Sequence, residues 1–223
     1  MTRSRRYNLL CPIARALDAV GDRWSLLILR DLHAGPARFQ ELQEGLGIAT
    51  NLLTTRLADL IDSGLIRKVD AGGHREYELT DLGQQTDRLL FELANFGLLT
   101  ARGSDTREPG NLRTIALPLR MALAAHPNRP TLSARLVVDD EPFVITSTPD
   151  SVDVSYGDAT TDVDITAATD YHAMLDLAEG LLTTDAFATE HFDVVAGNTH
   201  IDSLRDLLAP LGILPPQPET PDP

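Results

Sequence analysis

The chain has 223 residues, 43% of them apolar and 23% charged, the composition of a folded protein with room for one large domain or two ordinary ones. Its single cysteine excludes an intramolecular disulfide, and no run approaches the roughly 18 apolar residues of a membrane span. The net charge of −14 is uneven: residues 1–110 hold 14 Lys+Arg against 15 Asp+Glu, and residues 111–223 hold 5 against 18, which points to two modules with different partners.

The basic opening MTRSRR mimics the start of a signal peptide, but Arg15, Asp18 and Asp22 interrupt the apolar run that follows. A cytoplasmic protein is expected. Ile13, Leu17, Val20, Trp24, Leu27 and Ile28 recur at helical spacing, so one helix is predicted over 11–32, with Gly21 weakening its middle. A turn at Gly35-Pro36 leads to a short helix with Phe39 and Leu42. A further helix carries Leu53, Leu57 and Leu60 and ends near Ser63-Gly64. Two short strands flank Ala71-Gly72-Gly73, and Thr80 should cap one long helix through Leu89, Leu90, Leu93 and Phe96. The Gly/Ser/Pro-rich stretch TARGSDTREPGN reads as a domain boundary.

Beyond it, residues 115–125 read as a helix and residues 131–157 as an antiparallel meander turning at Asp139-Asp140 and Pro149-Asp150. Then come a strand in TDVDITAAT, a helix closed by Gly180, a short helix in DAFATE, a strand in HFDVVAG and a closing helix. The tail over 213–223 should be disordered or polyproline-like. The whole is read as an α+β protein, with domains over 1–105 and 111–212.

Helix, short helix, helix, hairpin and helix is the order of a winged helix-turn-helix. One oddity of the third helix fits that reading. Thr50, Asn51 and Thr54 occupy the side opposite its leucine stripe, where a soluble helix usually carries Glu, Lys or Gln. Short hydrogen-bonding groups suit a helix laid in the DNA major groove. Asn can address adenine bidentately, and Thr offers a hydroxyl and a methyl. Cations around such a helix meet phosphates, and Arg38, Arg56, Arg67, Lys68 and Arg75 are the candidates.

The run from Cys11-Pro12 through Gly21 to Trp24, Ile28-Leu29, Gly35-Pro36, Arg38-Phe39, Glu41-Leu42, Leu53-Thr54, Arg56-Leu57, Gly64-Leu65, Tyr77, Leu79-Thr80 and Gly83 resembles the HxlR family of winged-helix transcriptional regulators. The resemblance covers roughly residues 8–100. It implies a homodimer on a pseudo-palindromic duplex, one recognition helix per half-site, paired through the N-terminal helix and the Leu89–Leu98 helix. Ala49 stands where the family commonly has Ser, so Thr50 is the expected substitute cap. Trp24 and Phe39 are expected to pack in the core. Cys11 is expected to be a buried structural thiol; the resemblance implies redox sensing at this place as the alternative.

Residues 111–211 resemble the sterol-carrier-protein-2-like fold, an α/β sandwich of a five-stranded sheet and helices, through the run carrying Gly180, Ala186, Phe187 and Gly197. That resemblance implies a tunnel for an apolar small molecule. Leu119, Met121, Leu123, Phe143, Tyr156, Met174, Leu177, Leu181 and Phe187 are the candidate lining residues, with plain core packing as the other reading. No G-x-S-x-G elbow, H-E-x-x-H, phosphate-binding loop or dinucleotide fingerprint occurs in the sequence, and His172, His191 and His200 match no metal-ligand spacing. The expectation is a DNA-binding repressor, not an enzyme, with no cofactor, no metal and no membrane partner. Two alternatives stay open: an apolar-ligand carrier that uses the winged helix to dimerise, and a Cys11 redox sensor with an inert second domain.

Overall fold

The computed structural model of the chain describes Tyr7 and residues 9–100, 110–157 and 162–208, so the expected linker at 101–109 and the 213–223 tail lie outside the described residues. The chain divides into two compact units, Met1–Leu90 and Phe91–Pro223.

In the first unit, the single helix expected over 11–32 is two: α1 (Pro12–Val20) and α2 (Arg23–Leu32). The cause is local. The Gly21 amide donates to the Leu17 carbonyl at 2.8 Å and closes α1. Asp22 is extended, and its carboxylate accepts a hydrogen bond from the Trp24 amide at 3.0 Å, an N-cap that starts α2 afresh. A two-residue strand that the sequence did not announce, β1 (Ala37–Arg38), precedes α3 (Phe39–Leu46). Gly47, at φ 61°, begins the turn to α4 (Thr50–Asp62). This is the helix-turn-helix. The hairpin is β2 (Ile66–Ala71) and β3 (His74–Leu79), and the sheet order is β1-β3-β2. Gly72 and Gly73 both have positive φ, 56° and 87°, which a two-residue turn of this hand requires.

Thr80 caps a helix, accepting from the Gly83 amide at 3.1 Å, but that helix is the short α5 (Asp81–Gln84). The chain turns at Thr86 and restarts as α6 (Asp87–Thr100). The turn is held from inside: Thr86 Oγ1 donates to the Gly83 carbonyl at 2.7 Å and lies 3.0 Å from Nε2 of the buried His33, at the end of α2. A helical spacing of leucines cannot reveal such a break. The unit's core comprises Ile28, Leu29, Leu42, Leu53, Leu57, Leu60 and Ile66, all under 3% exposed.

The second unit, which takes in α6 from Phe91 onward, continues with a 3-10 turn (Leu112–Ile115) and α7 (Ala116–Ala124). The meander is β4 (Leu132–Val138), β5 (Glu141–Ser147) and β6 (Val152–Tyr156). Asp139 and Asp140, at φ 46° and 69°, make its first turn, a conformation that Asp tolerates better than most residues. Strand β7 (Ile165–Thr169) runs parallel to β4 on its free side. Helices α8 (Tyr171–Ala178) and α9 (Thr184–Glu190) lead to β8 (Asp193–Ala196), and a 3-10 turn precedes α10 (Ile201–Leu208). The five-stranded sheet has the order β6-β5-β4-β7-β8. Alternate residues of β4, Leu132, Ala134, Leu136 and Val138, are buried on one face.

Candidate nucleic-acid interface

Helix α4 is built as its sequence period demands. Leu53, Leu57 and Leu60 are buried, while Thr50, Asn51 and Thr54 are exposed together on the outer side. Their hydrogen bonds decide what each can offer. Thr54 Oγ1 donates to the Thr50 carbonyl at 2.8 Å, which leaves its lone pairs and methyl outward. Gln43, on α3, donates from Nε2 to Thr50 Oγ1 at 2.8 Å. Thr50 is therefore not the substitute cap: Ala49 is the N-cap residue, and among the described residues no side chain caps this end of α4. The Asn51 carboxamide makes no hydrogen bond with the described residues, so both its donor and its acceptor face solvent. That is the state in which a base edge could be read.

The candidate cations are less available than their sequence positions suggest. Arg56 is half-buried between two carboxylates, Nε 3.0 Å from Asp22 and one terminal nitrogen 2.9 Å from Asp59. It ties α4 to the start of α2, an internal role that its sequence position does not reveal. Arg67 Nε lies 2.6 Å from Glu78, Arg38 Nε 3.5 Å from Glu76, and Arg75 Nε 4.0 Å from Asp70. Lys68 alone among the five has no carboxylate at ion-pair distance among the described residues; its ammonium stands 5.7 Å from the Tyr77 ring centroid. Burial pushes the Tyr77 hydroxyl above its ordinary range, opposed by the Arg75 charge, so it stays a neutral phenol near neutral pH. The Arg67–Glu78 pair was legible in principle. A hairpin turning at Gly72-Gly73 places position 67 opposite 78.

Cys11 is not buried. It is exposed as the N-cap residue of α1, a helix that buries only Ala14 and Val20. Trp24 and Phe39 are half-buried, and the Arg23 guanidinium lies 5.4 Å from the Trp24 ring centroid. Among the described residues, two apolar faces are exposed. Helix α1 exposes Ile13 and Leu17, and α6 exposes Leu89, Leu93, Phe96 and Leu99.

In the second unit, Leu119, Leu123, Phe143, Leu177 and Phe187 are buried, and Met121, Tyr156 and Met174 are half-buried. Leu181 is 68% exposed and does not belong among the lining residues. The chain reverses at Gly180, and the Leu181 amide donates back to the Asp176 carbonyl, which leaves the side chain outside. Phe143 and Tyr156 meet edge to face at 5.4 Å, and Tyr156 Oη donates to Glu141 at 2.6 Å. Of His172, His191 and His200, His191 stands 3.3 Å from Asp170, the residue that caps α8.

Three helices, a three-residue turn between the second pair and a flanking hairpin define a winged helix-turn-helix. The HxlR-like helix-turn-helix family matches residues 19–103. An uncharacterized HTH-type transcriptional regulator of Mycobacterium tuberculosis, Rv3095, is 38% identical over 88 residues, 38% of this chain and 56% of that relative, so the chain spans little more than half of its length. Another of Synechocystis, sll1512, is 33% identical over 92 residues, 40% of this chain and 68% of the relative. The chain belongs to the HxlR-like helix-turn-helix family. Among solved structures, the ubiquinone synthesis protein UbiJ-SCP2 overlaps 56% of this chain and 94% of its own at 16% identity, with a TM-score of 0.28, too remote to assign the second unit's fold.

Proposed function

We propose that the protein is a dimeric, sequence-specific DNA-binding transcriptional regulator, acting as a repressor from the cytoplasm, without enzymatic activity. The observation that carries this is the outer face of α4, where Thr50, Asn51 and Thr54 offer short, outward hydrogen-bonding groups over a fully buried leucine stripe. The relatives' description as transcriptional regulators supports it. Lys68 serves beside that face as a phosphate contact, and the open apolar faces of α1 and α6 pair the subunits. Selection from a pool of random-sequence duplexes tests the reading. A pseudo-palindrome with half-sites about 10–10.5 base pairs apart, or a multiple of that, is the expected enrichment. A pool that stays random after repeated rounds at low salt would refute it.

The second module, residues 111–212, is proposed to be sterol-carrier-protein-2-like and to take an apolar small molecule among Leu119, Leu123, Phe143, Leu177 and Phe187. Such a ligand would act by binding two inter-subunit arrangements with different affinity, changing the distance between recognition helices. Native mass spectrometry of the purified protein should find the dimer carrying a few hundred extra daltons per subunit. A clean dimer at the sequence mass removes the effector from the proposal. The exposure of Cys11 favours a second reading, in which thiol oxidation controls binding. Cys11→Ser would then abolish any oxidant response of the protein–DNA complex.

A further inference from the structure

The hairpin carries three cations, Arg67, Lys68 and Arg75, against three carboxylates, Asp70, Glu76 and Glu78, so it has no net charge. The arrangement is not diffuse. In the register of β2 and β3, Arg67 stands directly opposite Glu78, and in that of β1 and β3, Arg38 stands opposite Glu76. Both pairs project from the same side of the small sheet. The opposite side turns Ile66, Leu79 and Ala37 into the core. The glutamates are the better-covered partners, their side chains 24% and 20% exposed against 64% and 48% for the arginines. Each glutamate is the more buried acceptor, and each arginine is the more exposed partner that reaches to it.

This has a direct electrostatic consequence for the DNA-binding reading, on which the inference rests. A guanidinium gains affinity for DNA by neutralising a phosphate and releasing its condensed counterion, which gives a salt slope of about −0.9 per contact on duplex DNA. A guanidinium already neutralised by a carboxylate brings almost no net charge to the phosphate. If it leaves the carboxylate, a bare anion stays beside the duplex and repels it.

We propose that Glu76 and Glu78 are built-in counterions of the wing: they occupy Arg38 and Arg67 and hold down sequence-independent attraction to the duplex, leaving Lys68 and the α4 face to carry binding. The glutamates are thus residues that lower affinity, not supports that aim arginine at phosphate. The two roles predict opposite signs.

The test uses the full-length protein, Glu78→Gln and Glu76→Gln, and a labelled random-sequence duplex titrated by anisotropy between about 50 and 200 mM salt. Gln keeps the volume and one acceptor oxygen but removes the charge. Each substitution is expected to tighten binding and to steepen the slope of log K against log salt by about 0.9, which makes the gain on lowering salt fourfold about 3.5 times larger. Adding Arg67→Ala to Glu78→Gln should return the slope to that of the wild type. Packing damage would not move the slope, and Glu76→Gln stands as the second variant should Glu78→Gln fail to fold. Wild-type binding with an unchanged or shallower slope in the variants overturns the counterion assignment and leaves the regulator reading intact. Absence of binding by every form at low salt takes both down.

Discussion

Asp22 does two jobs that its sequence position hides, and they can be separated. Its carboxylate caps α2 through the Trp24 amide and also meets Arg56 Nε at 3.0 Å on α4. Loss of an N-cap acceptor typically costs about 1 kcal/mol, within a range of about 0.5–2. The ion pair is worth less than its distance suggests, because its side chains are 24% and 35% exposed; about 0–1 kcal/mol is the ordinary range for such pairs. Asp22→Ala should therefore destabilise the first unit by about 1–2.5 kcal/mol, and Asp22→Asn, which retains the cap acceptor but not the charge, by less than about 1 kcal/mol. The sole tryptophan, Trp24, lies two residues away in α2, so its fluorescence during urea unfolding reports on this unit without interference from the second. At about 4–8 °C per kcal/mol for a domain of this size, thermal melting should separate the two variants clearly. Equal losses in both would show that the charge stabilises the unit more than the cap does. No loss in either would mean that Asp22 is not what separates α1 from α2.

Gly83→Ala should cost at least about 2 kcal/mol in the same urea assay, because an added Cβ would sit 2.0 Å from the Leu65 carbonyl oxygen, a backbone atom that cannot swing away. A wild-type midpoint would show that the close approach of Gly83 to Leu65 is relieved at little cost. Leu17→Glu and Phe96→Glu, at positions 46% and 63% exposed, should turn a dimer into monomers in sedimentation velocity while the far-UV circular dichroism of a folded protein is kept. A dimer that survives both substitutions assigns the interface elsewhere.

Period and punctuation made much of the fold legible before any coordinates. The leucine stripe of α4 and the Gly72-Gly73 hairpin rest on rules that act within a few residues, and they hold here. The two helix breaks, at Gly21-Asp22 and at Thr86, escaped the sequence pattern for a shared reason. An unbroken apolar spacing says nothing about whether a side chain diverts the backbone hydrogen bonds, as Asp22 and Thr86 do. The outward face of α4 was visible as an anomaly of composition, Thr and Asn where longer polar residues are usual. What the sequence hid was pairing. Arg56 looked like a surface cation because its partner Asp22 is distant in sequence, and it is drawn inward by the packing of α2 against α4. Leu181 looked like a core leucine because its place just past Gly180 matters more than its hydropathy.

Whether α4 reads base sequence is the central question, and one comparison bears on it most directly. Binding of the selected duplex and of a random duplex is measured for the wild type and for the Asn51→Ala, Thr54→Ala double variant at one salt concentration. Base reading by α4 predicts that the ratio of the two affinities falls by about tenfold or more, since one bidentate base contact is worth about 1–3 kcal/mol, while affinity for the random duplex stays nearly unchanged. A double variant that keeps its preference for the selected duplex, or loses both affinities equally, would contradict it.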